Sequence, residues 1–184
     1  MMRVARQRNF ALLWMAGFVS MLGDWAFHIA MPVFVLHETG SVFLAGIVWA
    51  VIALPSVAIG PVAGVLVDRW DRRRIMLWGN VAQAMAAALL VVAGSGPGIW
   101  VAMTVLFVNA SIAAMLLPAE NALLPTLVPE EDLAPANALN AMNDNLARIA
   151  GPVVGAVAYA HLGIQGVAAI NAACCAAIVF ITSA

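Results

Sequence analysis

Apolar residues run almost without interruption along this chain, and the polar ones gather into a few short breaks. Six apolar runs, at about 10–36, 42–66, 75–94, 98–120, 134–159 and 163–184, predict six helices. The hydrocarbon layer of a bilayer is about 30 Å thick and a helix rises about 1.5 Å per residue, so about 20 apolar residues suffice to cross it. The runs are continuous and rich in Ala, Leu, Val and Met, which excludes the alternating strands of a membrane barrel. Composition agrees: 65% of the residues are hydrophobic and 9% charged, where a soluble domain is about a quarter charged. An all-α integral membrane protein follows.

The first run is too long for a secretory signal and is interrupted by Asp24 and His28 instead of ending in a small-residue cleavage site, so it reads as a retained helix. Cys174 and Cys175 are adjacent within the last run, without further metal ligands nearby, and are expected to be buried small apolar residues. No metal or cofactor is expected. Arg3, Arg6, Arg8, Arg69, Arg72, Arg73, Arg74 and Arg148 all fall on one side of the predicted topology. The opposite connections, around His37 to Ser41, Gly94 to Gly98 and His161 to Gly163, hold no Lys or Arg. The positive-inside rule therefore predicts a multi-pass plasma (inner) membrane protein with a cytoplasmic N-terminus. A net charge of −1 identifies no partner, and a nucleic-acid role is not expected of so short a basic run at a membrane.

Ionisable and amide side chains inside spans carry whatever mechanism exists. A carboxylate such as Asp24, near the middle of the first run, is costly unless it is protonated, paired or facing water. Trp25 and His28 follow, His28 one turn from Asp24, which makes a proton or cationic-substrate site plausible; a structural pair of Asp24 with Arg148 is the competing reading. Asn137, Asn140, Asp144 and Arg148 recur at helical spacing in the fifth run. They predict a polar stripe lining a cavity, with Asp144 and Arg148 paired along the helix. Asn109 in the fourth run is a further amide expected to face that cavity. Gly60 and Gly64 predict a close helix crossing. Pro32, Pro55, Pro61, Pro118 and Pro152 each release a backbone carbonyl and permit a kink.

The charged turn between the second and third runs holds four of the eight cations. Its residues Gly64, Leu66, Asp68, Arg69, Arg72 and Arg73 resemble the cytoplasmic signature of the major facilitator superfamily, Gly-x-Leu-x-Asp-Arg-x-Gly-Arg-Arg/Lys, with Asp71 in place of the second glycine. Gly151, Pro152 and Gly155 are similar to the Gly-x-x-x-Gly-Pro-x-x-Gly-Gly motif of the family's exporters, with Ala147 and Ala156 where glycines are usual. The stretch from Leu124 to Asn137 resembles the loop between the fourth and fifth helices in the branch of enterobactin exporters and macrolide efflux proteins.

The resemblance implies six transmembrane helices forming one bundle, half of a twelve-helix major facilitator fold, with the C-terminal bundle absent. It implies a proton-coupled efflux antiporter, of the multidrug-resistance type, that moves a drug-like or siderophore-like small molecule across the lipid bilayer by alternating access. Glu120, the carboxylate near the cytoplasmic end of the fourth helix, is implied to receive Arg72 and hold the outward-facing state. The small-residue face of Gly151 and Gly155 is expected to meet the opposite bundle. An enzyme is not expected, since no metalloprotease, serine-hydrolase or paired-aspartate pattern is present. A truncated or non-transporting membrane scaffold, or a half-transporter that needs a partner bundle, is the alternative.

Overall fold

The computed structural model describes the backbone of residues 8–92 and 98–183, and the side chains of these except at positions 8, 9, 13, 65, 66, 68, 127 and 181–183. Arg3, Arg6, the side chain of Asp68 and most of the turn at 94–98 therefore lie outside the described residues.

Among the described residues there are five helices long and apolar enough to cross a membrane. They are α1 (Arg8–Thr39), α2 (Val42–Arg69), α3 (Arg72–Val92), α4 (Ile99–Leu127) and α5 (Leu133–Ser183), with a single 3-10 turn at Glu130–Asp132 before α5. Several helices outrun the apolar segments that predicted them. Hydropathy marks where a helix leaves the hydrocarbon, while backbone hydrogen bonding continues until a cap or a turn stops it. Gly40, at φ 66°, stops α1 by donating its N–H to Leu36 O at 2.8 Å. Ser41 then caps α2, its Oγ accepting from the Leu44 N–H at 3.2 Å.

The fifth and sixth predicted helices meet without a loop inside Leu133–Ser183, where the helical backbone is broken at Gly163, with φ 64° and ψ −170°. That backbone conformation is essentially restricted to glycine. Gly151 and Gly155, before the break, lie against Trp25 and Ala26 of α1, while Asn171 and Cys174, after it, lie against Gly23. Residues on both sides of Gly163 thus meet the same turn of α1, so α5 is folded back into two limbs. Contacts of Trp14 with Leu139 and of Ala26 with Gly155 show that the first limb runs parallel to α1.

Three apolar clusters define the two ends of the bundle. Phe10, Leu124, Val128 and Ala136 bring the start of α1, the end of α4 and the start of α5 together, and Val67, Met76 and Ala119 join the α2–α3 turn to α4. Both belong to the end that carries the arginine-rich turn. The largest cluster, which includes Phe27, Met31, Phe34, Val48, Leu90, Leu106 and Val167, fills the other half. Unlike a soluble protein, the bundle is apolar on its exterior as well as in its core, and a few amides are buried among the apolar side chains. Asn80, Gln83, Asn109, Asn143 and Asn171 are buried, whereas Phe43, Leu54, Val57, Leu89, Trp100, Ile149 and Phe180 are exposed. An apolar exterior around a hydrogen-bonding interior is what a lipid solvent demands.

Candidate functional site

The site is organised by α1. Asp24 lies near the middle of this 32-residue helix, and its Oδ1 accepts a hydrogen bond from Asn171 Nδ2 at 3.0 Å. Asn171 is almost fully buried on the second limb of α5, and its own Oδ1 has no partner among the described atoms. Gly23 makes the approach feasible: a Cβ at that position would lie 3.2 Å from the Cys174 side chain and 3.3 Å from Asn171 Nδ2. Cys174 and Cys175 are both free thiols. Cys175 is buried as expected, and its Sγ reaches to 3.9 Å from Gln83 Oε1.

The partner of Asp24 is thus an amide and not Arg148. The guanidinium of Arg148 instead lies 5.5 Å from the centroid of the Trp25 ring, over its face. No ion pair joins Asp24 to Arg148 among the described residues, so the competing reading of a structural pair is not met, while Arg148 acts on Asp144, one turn away, through its charge without closing to a salt bridge. The side of Trp25 is met edge-on by His28, with centroids 6.0 Å apart and planes at 80°. Trp25 therefore joins two cationic or protonatable side chains from two elements. Pro32 and Pro152, each within a helix, lack the N–H that would bind the carbonyl four residues earlier. Those carbonyls belong to His28 and Arg148, so both residues that flank Trp25 also carry a main-chain acceptor released from its helix.

Gly151 and Gly155 meet α1, not a second bundle. A Cβ on Gly151 would run into the Trp25 Cβ, and one on Gly155 would meet Ala26 O and lie 2.8 Å from Ala26 Cα. Glycines four apart share a helix face, and the nearest backbone available to that face is the parallel α1. Gly60 and Gly64 meet no other helix among the described residues, since nothing lies within 4 Å of a Cβ on either.

The first limb of α5 presents two polar faces. Asn137, Asp144 and Arg148 are exposed and Asn140 is partly so. Asn143, which the sequence reading passed over, is buried and donates to Trp14 O at 2.7 Å, while Trp14 Nε1 donates to Leu139 O at 2.9 Å. The outer stripe has no cover among the described residues, and charged groups on a membrane helix are unfavourable against lipid.

Glu120 is placed differently from its expected role. Its Oε1 lies 2.9 Å from the position of a Cβ on Gly17, with Asn143 Nδ2 3.9 Å from the same point. It therefore occupies a slot where α1, α4 and α5 meet, about two turns from Asp24 along α1 and toward the arginine-rich end. No ion pair joins it to Arg72 among the described residues. The missing side chain at Gly17 leaves the space that a carboxylate can enter. Asn109 likewise faces the bundle interior and not a cavity: its Nδ2 donates to Val105 O at 3.1 Å, and its main-chain O accepts from Gln83 Nε2 of α3 at 3.3 Å.

At the signature turn, Arg69 ends α2 and Arg72 opens α3. Asp71 Oδ1 accepts from the Arg74 N–H at 3.0 Å, and Asp71 O accepts from the Ile75 N–H at 3.0 Å. The aspartate in place of glycine is therefore the cap of α3. Its negative charge also offsets part of the mismatch of three arginines at the positive end of a helix dipole.

Asn171, Gly17 and Gly23 are the site residues that motif reading missed. Asn171 is a lone amide within an otherwise apolar run, which is a usable signal; the two glycines become informative only once their neighbours are known.

A bundle of apolar helices around buried amides and a mid-helix carboxylate defines a polytopic membrane protein. Residues 13–183 match the Major Facilitator Superfamily, and the chain belongs to this family of transporters. Over 165 residues it is 30% identical to macrolide efflux protein A of Streptococcus pyogenes, covering 89% of this chain and 41% of that protein. It is 32% identical to the uncharacterized MFS-type transporter YfiS of Bacillus subtilis over 157 residues, 84% of this chain and 36% of the relative. It is 32% identical to the multidrug efflux pump Tap of Mycobacterium tuberculosis over 159 residues, 83% of this chain and 38% of the relative. The chain spans about two fifths of the length of the curated relatives it matches.

Proposed function

We propose that this chain is the N-terminal bundle of a twelve-helix secondary transporter that exports a small molecule in exchange for protons, by rocking against a second bundle. Asp24 carries this reading. It is the acidic side chain at mid-depth in α1, its described partner is the neutral amide of Asn171, and an unneutralised carboxylate at that depth is a functional group by default. The exposed stripe of Asn137, Asn140, Asp144 and Arg148 is assigned to the water-filled cavity between the bundles. Trp25 with Arg148 and His28 forms its wall beside Asp24. Asp68, Arg69, Arg72 and Arg73 are assigned to the conformational turn, and Gly64 to its approach. The relatives named for efflux support export of a drug-like molecule.

Transport by the complete protein is expected to depend on an imposed proton gradient. In everted vesicles given a fluorescent macrolide or dye in the outer medium, a protonophore should stop uptake, whereas collapse of a sodium gradient should leave it unchanged. Uptake that survives both treatments overturns the coupling, and failure to accumulate any member of a broad drug panel favours a scaffold without transport.

The arginine-rich end is assigned to the cytoplasm on the positive-inside rule. Single cysteines at positions 38 and 161, in a background with Cys174 and Cys175 replaced by alanine, are expected to react with an impermeant maleimide applied to intact cells. A cysteine at position 72 is expected to react only after permeabilisation, and labelling of it from outside reverses the orientation.

A further inference from the structure

A groove of about 610 Å³ runs along the outside of the bundle at its arginine-rich end, between α3 and α4. Its mouth is formed by Arg69, Trp70 and Arg74, and its wall by Ile75, Ile112 and Met115. At Gly79 the groove is floored, because Leu116 of α4 packs into the space that a side chain there would take. A second groove of about 240 Å³ is lined by Arg73, Arg74, Leu77 and Trp78. Arg74 and Trp78 line both, so the two grooves flank one ridge and meet at one cation.

We infer that these grooves hold an anionic glycerophospholipid, its phosphate at Arg69 and Arg74 and its two acyl chains on either side of the Trp78 ridge. Charge complementarity selects the occupant. Neither Arg69 nor Arg74 is in an ion pair among the described residues, and the described carboxylate at the mouth, Asp71, accepts the Arg74 N–H through its Oδ1 at 3.0 Å. Trp70 and Trp78 are 57% and 66% exposed, and tryptophan at this level prefers the boundary between headgroups and acyl chains. The apolar wall begins next to the cations, at Ile75, and continues along α4 through Ile112 and Met115, so that charge gives way to apolar surface as it does within a phospholipid. A free phosphate fits the mouth and leaves the wall bare, and a zwitterionic lipid fits the wall while its own cation repels the mouth. The assignment is independent of any transport activity.

A photo-crosslinking residue in place of Met115 tests it, with the intact protein in vesicles of equal parts phosphatidylglycerol and phosphatidylcholine. Lipid adducts are read by mass. Phosphatidylglycerol is expected to exceed phosphatidylcholine by at least about fivefold, the preference that a single surface cation confers, and by more where both arginines act. Arg69→Gln with Arg74→Gln is expected to bring the ratio near one. A crosslinker at Leu89, exposed toward the far end of α3, should give no preference in either protein, which separates loss of headgroup recognition from loss of the fold. Millimolar inorganic phosphate should not change the ratio. A parent ratio near one, a ratio unmoved by the double substitution, displacement by free phosphate, or an adduct to protein in place of lipid each overturns the assignment.

Discussion

Asp24→Asn is expected to abolish gradient-driven export and its dependence on pH while leaving the folded protein abundant. The substitution keeps the size and shape of the side chain, and its Oδ1 can still accept from Asn171 Nδ2, which the parent does at 3.0 Å. What it removes is the capacity to take up and release a proton. Stability should therefore change little, since a neutral amide is easier to hold in a membrane helix than a carboxylate. Export should fall to the level of vesicles without the protein, and binding of substrate should stay within a few-fold. Asn171→Leu separates positioning from protonation: it leaves Asp24 in place without its described partner, and should slow export and shift its pH response without abolishing it. Export rates across a pH series in vesicles of the complete protein decide the matter. If Asp24→Asn preserves both the rate and the pH profile, Asp24 is structural and coupling resides elsewhere.

Gly155→Val is expected to destabilise the bundle strongly. A Cβ there would meet Ala26 O and stand 2.8 Å from Ala26 Cα and 2.9 Å from Ala26 C. These are backbone atoms of a packed helix, so no rotamer change relieves the overlap and α1 must separate from α5. Overpacking of this kind costs about 1–3 kcal/mol, and the separation would also pull Trp25 away from Gly151. Gly60→Ala and Gly64→Ala are the matched controls. Each has open space around the new Cβ, and alanine gains up to about 1 kcal/mol of helix propensity over glycine. Thermal unfolding in detergent, followed by the recovery of monodisperse protein, should rank Gly155→Val below the parent and both controls at or above it. A Gly155→Val protein that melts with the parent would contradict the α1–α5 crossing.

The hydropathy pattern alone carried the class of protein, because a continuous apolar run of more than 20 residues has few stable fates outside a bilayer. It also located the charged turn, whose cation cluster is a local property of the chain, and it singled out Asp24, since a charge inside a span stands out against any apolar background. Helix ends were less legible: capping by Gly40 and Asp71 depends on backbone geometry, and polarity marks the membrane boundary instead. Contacts between helices were not legible at all. Gly60 and Gly64 carry the same spacing as Gly151 and Gly155, yet among the described residues only the second pair touches another helix. Arg148 had two carboxylates as sequence candidates and lies over Trp25, and Glu120 turned to the slot at Gly17 instead of to Arg72. The physical reason is common to all of these. Spacing fixes which residues share a face of one helix, but which neighbour that face meets depends on how all the helices pack together, and that choice is made only in the tertiary structure.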